Sequence, residues 1–336
     1  MFRKSLLSFV AIAALFAVLV SPRADAGEKL QKLRLAYHPN WGPMSVPAAD
    51  MKGGFFKEEG FDVEWVKFTS GPPEIAAMVS GDINFGYIGH GALALCAEGK
   101  ATVLSLTHFT NSEAVLVRKA SGITDMQGLK GKVVGTELGT SGEVVLNMAL
   151  EAANMTRDDI RLINMPITSA ISAFIGGSID AVVAWGSDVT SIISNVDEEL
   201  VSVVEARDFM DVIPFISTWV ADNDYVKNNP EVAVRFLRAL NKCYAYRFED
   251  LDRNLRDCAD FAKKVDIGVT YEDLVPERNQ LVFFSNDDAR EWLRDGKMAG
   301  YFQLHLDYMI KTGRLQSGNV NDYVAFDLMK KGLDME

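Results

Sequence analysis

The sequence predicts a two-lobed α/β protein, each lobe a mostly parallel sheet flanked by helices, with a helical C-terminal region. Three observations predict it. Strand-like and helix-like segments alternate from about residue 33 onward, the pattern of a parallel sheet covered on both faces. One block of this alternation occurs twice. The first copy runs from the strand at 63–68 through a helix and Gly81-Asp82-Ile83-Asn84 to a strand ending at Gly89-His90. The second runs from the strand at 160–165 through a helix and Gly177-Ser178-Ile179-Asp180 to a strand ending at Gly186-Ser187. Finally, the chain turns mostly helical after Trp219.

The elements follow in order. Residues 33–37 read as the opening strand, and His38-Pro39-Asn40-Trp41-Gly42-Pro43 leads into a short helix ending near Gly53-Gly54. Residues 63–68 are rich in β-branched and aromatic residues. Thr69-Ser70-Gly71-Pro72-Pro73-Glu74 is a helix start, with proline in the first turn and an acid near the positive end of the dipole. Ile75, Met78 and Val79 give that helix an i, i+3, i+4 apolar stripe. Strands at 83–88 and 103–106 complete the first block. In the second, the strand at 132–136 is followed by Gly139-Thr140-Ser141-Gly142, which opens a helix with Val145, Met148, Ala149 and Ala152 on one side. Thr156 with Asp159 is a helix-start signature, and strands follow at 160–165 and 179–185. Pro230 opens a helix through Phe248. Extended apolar segments at 112–118 and 213–220 suit a two-strand hinge, so residues 27–115 with 217–336 form one lobe and 116–216 the other.

The first 26 residues read as a secretory signal peptide. Arg3 and Lys4 precede an apolar run from Leu6 to Val20, Pro22 breaks it, and Ala24-Asp25-Ala26 places the cut before Gly27. The run falls short of the roughly 20 apolar residues of a membrane span. Cleavage leaves 310 of 336 residues and removes Arg3, Lys4, Arg23 and Asp25, which moves the net charge from −12 to −14. So acidic a surface excludes nucleic acid and anionic membrane as partners. Cys96 reads as a buried thiol, while Cys243 and Cys258 can pair only if their helices touch. No cysteines have zinc spacing and the four histidines are scattered, so no metal or cofactor is expected.

In open α/β sheets, ligands lie beyond the carboxyl ends of strands, beside helix N-termini. Five segments sit there: 38–41, 69–71, 89–90, 139–143 and 185–188. Glycine and hydroxyl residues dominate them, and exposed amides at a helix start with a hydroxyl make an anion site without a charged side chain. Plain capping explains the same residues one loop at a time; their recurrence at matching places in both blocks points to binding. The candidate ligand-binding residues are Asn40, Trp41, Ser70, Gly71, Gly89, His90, Thr140, Ser141, Glu143, Trp185 and Asp188. Trp41 and Trp185 can form an apolar or cation-binding wall. Glu143 and Asp188 can meet an ammonium group, although an acid in a helix's first turn is favoured for dipole reasons alone. None of the five loops holds lysine or arginine, so a zwitterion or an amine fits better than a strong anion. Gly-x-Ser-x-Gly is absent and Gly139–Gly142 lacks the lysine of a phosphate loop, so neither a hydrolase nor a nucleotide site is indicated.

The segments from Gly53 to Glu64, from Met78 to Gly89, from Gly128 to Gly135 and from Asp180 to Trp185 together resemble the nitrate/sulfonate/taurine group of ABC-importer solute-binding proteins. The thiamine-pyrimidine-binding relatives stand close by. Tyr225 with the run from Lys227 to Val232 resembles that family's passage into its C-terminal helices. The resemblance implies a type II periplasmic-binding-protein fold, a monomer that closes on a small solute and delivers it to membrane permease subunits. It places ligand contacts at Asn40-Trp41, Ser70-Gly71, Gly89-His90, Thr140-Ser141 and Trp185. Taurine-binding relatives often carry an acid and proline after the last tryptophan; here Gly186-Ser187 stand there. The related synthase chemistry needs a cysteine cluster that this chain lacks, so a binding protein is expected rather than an enzyme. A capture module for a membrane sensor is the other alternative.

Overall fold

The computed structural model describes residues 30–335, and the leader expected at 1–26 lies outside them. Four strands come first: β1 (Gln31–Tyr37), β2 (Phe61–Lys67), β3 (Phe85–Gly89) and β4 (Thr102–Thr110). Five follow: β5 (Ala114–Arg118), β6 (Val133–Thr136), β7 (Arg161–Asn164), β8 (Ala181–Ala184) and β9 (Leu200–Glu205). The last two are β10 (Ile216–Ala221) and β11 (Leu281–Val282). They form one sheet in the order β11-β4-β10-β3-β1-β2 and another in the order β7-β6-β8-β5-β9.

Both sheets are mixed, with most strands running one way and β5, β10 and β11 opposed. β1 pairs in parallel with β2 and β3, and β6 with β7 and β8. These are the strands of the repeated block, where a crossover helix returns the chain to the same sheet end. β10 and β5 are antiparallel to their neighbours. The chain reaches them by passing between the sheets, so no crossover helix sets their direction. The passages run through residues 111–113 and 206–215; the segments at 114–118 and 216–221 are ladder strands in their own right.

Each sheet is buried on both faces, which explains its near-continuous apolar strands. Leu33, Leu35, Phe85 and Trp219 pack against Ala233, Phe236 and Leu240 of the helix Pro230–Glu249. Pro230 opens that helix, where its missing N–H costs nothing. Phe236 stacks on Phe85 with centroids 3.9 Å apart; truncating such a ring to alanine costs about 3–5 kcal/mol. Ile88, Val103 and Val220 pack on Phe302 and Leu306 of the helix Lys297–Lys311. In the second sheet, Val115, Val134 and Val183 meet Leu146 and Leu150 of the helix Ser141–Ala152. Leu116, Val182 and Ala184 meet Ala170 and Phe174 of the helix Ile167–Ile175. All three cysteines are buried and free. Cys243 and Cys258 lie in different core clusters, the one against the first sheet and the other around Trp41, so their possible pairing is not made.

Candidate ligand-binding site

A cavity lies between the sheets, beyond the carboxyl ends of β1, β3 and β8. His38, Asn40, Ser70, Gly71, Tyr87, Gly89 and His108 line it from the first sheet. Gly139, Thr140, Ser141, Trp185 and Gly186 line it from the second. Glu113 and Ser217 enter from beside the two passages, and Glu277 from the turn Val275–Asn279. Its volume is about 40 Å³, room for roughly three waters at about 10–15 Å³ each.

The walls meet closely. A Cβ on Gly91 would lie 2.1 Å from the Thr140 carbonyl carbon, so glycine is what lets the two sides approach. Gly186 has φ +52°, in the region that favours glycine, and a Cβ there would lie 2.8 Å from Asn40 Nδ2. The Ser187 hydroxyl donates to the Pro39 carbonyl at 3.2 Å, and the Ser70 hydroxyl donates to Glu137. This is a closed cleft.

Its electrostatics are set by buried acids. Burial pushes the Glu113 carboxyl up to about 7, a rise that the neighbouring Ser141 hydroxyl partly offsets. Burial pushes Glu277 up to about 8, although the Trp41 N–H donates to its Oε2 at 2.8 Å. Nearby Asp188 raises Glu277 further and is itself pushed up to about 7, burial being the main cause. Glu74 is buried behind the wall and pairs with His38 Nε2 at 2.7 Å. The Tyr87 hydroxyl lies 3.3 Å from His108 Nε2, and burial, reinforced by the Arg247 guanidinium, holds His108 neutral. Arg247 lies outside the lining, with its guanidinium on Ser45 and Thr107.

Seven of the eleven sequence candidates line the cavity: Asn40, Ser70, Gly71, Gly89, Thr140, Ser141 and Trp185. Trp41 does not. Its indole is fully buried, donates to Asn254 Oδ1 at 3.1 Å and meets Phe283 edge-on, because the helix it opens packs on the helix Leu251–Lys264. His90 also turns away, stacking on Phe215 with centroids 4.5 Å apart. Glu143 caps its own helix start, accepting from the Gly139 N–H at 2.6 Å and pairing with Arg157. Asp188 stays behind the lining. Sequence reasoning missed Tyr87, His108, Glu113, Ser217 and Glu277. Tyr87, His108 and Ser217 sit within strands or at their ends. Glu113 and Glu277 are single acids in a short passage and a short turn, with no motif around them to mark them.

Two lobes closed over a cavity at the strand ends define a periplasmic-binding-protein fold. The chain belongs to the NMT1/THI5-like family, whose model matches residues 46–253. It is 30% identical over 299 residues to a putative binding protein of Brucella abortus, covering 88% of this chain and 90% of that one. It is 28% identical over 276 residues to a putative aliphatic sulfonates-binding protein of Bacillus subtilis, covering 78% and 80%. Among solved structures, the alkanesulfonate-binding protein of Xanthomonas axonopodis pv. citri bound to MOPS matches with a TM-score of 0.64 at 17% identity. That match covers 87% of this chain and 97% of that one, and at this identity it speaks to the fold alone.

Proposed function

We propose that this chain is the periplasmic solute-binding component of an ABC importer, without catalytic activity of its own. It acts as a monomer and hands its solute to membrane permease subunits. The observation that carries the reading is the enclosed cavity built from loops of both sheets. A solute there contacts both sides at once and stabilises the closed state, which the permease recognises. Residues 27–115 with 217–336 form one lobe in this reading and residues 116–216 the other. Asn40, Ser70, Gly71, Gly89, Thr140, Ser141 and Trp185 contact the solute, a small sulfonate, zwitterion or amine. The names of the relatives support a binding role.

A melting-temperature screen of dialysed residues 27–336 tests the reading. The panel holds taurine, alkanesulfonates, nitrate, amines and a bacterial small-molecule extract. A ligand of the folded state raises the melting temperature by mass action, by about 2.7 kcal/mol of stability at a hundredfold excess over Kd. At least one component is expected to do so; no rise with any of them, the extract included, contradicts the proposal.

A further inference from the structure

Buried acids set the character of the cavity. Glu113 and Glu277 line it at 2% and 1% exposure, and each leaves one carboxylate oxygen unpartnered among the described residues. The Asn40 amide oxygen is unpartnered as well. No lysine or arginine is in the lining. Several donors around the cleft already face the protein's own acids. Glu137 accepts from the Ile167 N–H at 2.8 Å, and Glu143 accepts from the Gly139 N–H. The Ser141 hydroxyl and the Ser187 N–H face Glu113 and Glu277.

A sulfonate entering this space brings a negative charge beside two buried acids, with no lysine or arginine to meet it. An organic cation brings the opposite: N–H groups for the open oxygens and a charge that pairs with the acids. Trp185 and Tyr87, from opposite sides of the cavity, add aromatic surface, which attracts cations. Buried acids with unmet oxygens are costly to a protein unless something fills them. Both acids also bridge the cleft. Glu277 faces backbone from Trp41 on one side and Ser187 on the other, and Glu113 leaves the passage between the sheets to meet Ser141.

We propose that the cavity takes a small organic cation, a compact ammonium, amidinium or guanidinium group held by Glu113 and Glu277, and that simple sulfonates do not bind. This rests on the solute-binding reading of the cleft. The test splits a bacterial small-molecule extract by ion exchange into cationic and anionic fractions. The melting temperature of the dialysed chain is measured with each fraction, and with methylguanidinium, acetamidinium, methanesulfonate and ethanesulfonate. The cationic fraction is expected to raise it and the sulfonates to leave it unchanged. Glu113→Gln and Glu277→Gln are expected to weaken the response to the cationic fraction about tenfold or more in the amount required. Without ligand, both variants keep or exceed the parent melting temperature, because the neutral amide removes a buried acid; an acid with a merely structural role would lose stability instead. Should a Gln variant fail to fold, the two fractions on the parent chain decide alone. A rise confined to the anionic fraction or the sulfonates overturns the cation and keeps the solute-binding role. A rise with neither fraction overturns both.

Discussion

Three carboxyl groups in and behind the cleft hold protons that the unfolded chain has released. Glu113 and Asp188 are pushed up to about 7 and Glu277 to about 8, burial being the first cause in each. Glu137 adds to the rise at Asp188, while His38 opposes it. A folded-state pKa above the unfolded value means that stability is lost as pH rises between the two. The buried His90, His108 and His305 act in the opposite sense, since burial lowers each of them. Their contribution is complete once the pH exceeds the ordinary histidine value of about 6.5. From pH 6.5 to 8.5 the ligand-free melting temperature is therefore expected to fall. The fall should shrink in the double variant Glu113→Gln, Glu277→Gln. A flat or rising melting temperature over that range contradicts the burial described for these acids. Much of the cavity lining was legible at this scale. Ser70, Gly71, Thr140, Ser141 and Trp185 follow strands or open helices in a repeated order, and that order is written in the chain. Glu113 and Glu277 carry no such mark, because what makes them special is burial, and burial arises only when passage, turn and sheets come together.

Elements were legible wherever period and punctuation agreed. Gly81-Asp82 and Gly177-Ser178 set off β3 and β8, and Pro230 marks the start of its helix. β9 passed unread as a strand: Leu200–Glu205 is half-buried along its length, at the edge of the second sheet, so its alternation is weak. The direction of β5 and β10 was also hidden, since sequence alternation implies crossover helices and these strands arrive without one. At the scale of elements, closure depends on two turns meeting. The turn after β3 carries Gly91 against Thr140 at the start of the helix Ser141–Ala152. Gly91→Ala adds a methyl group that collides with the Thr140 backbone across the closed cleft. It is expected to weaken response to the cationic fraction about tenfold or more, at least about 1.4 kcal/mol, while the ligand-free melting temperature changes little. Unchanged binding in this variant would place the solute somewhere other than between the two turns.

At the scale of the molecule, two sheets are joined by two passages and sealed at the cleft by contacts between loops. The two-lobed plan could be read from the duplicated block alone. What the sequence did not carry was which acids the closed form buries, because those come from segments far apart: one between β4 and β5, the other beyond residue 270. Under the proposed function ligand and closure are linked, since the loops that line the cavity also make the contacts of its rim. The most direct test is small-angle X-ray scattering from dialysed residues 27–336, before and after adding the small-molecule extract. A fall in the radius of gyration on addition, abolished by Gly91→Ala, is the result expected of a cleft that closes on its solute. Superimposable curves from an extract that nonetheless raises the melting temperature would contradict closure as the mechanism.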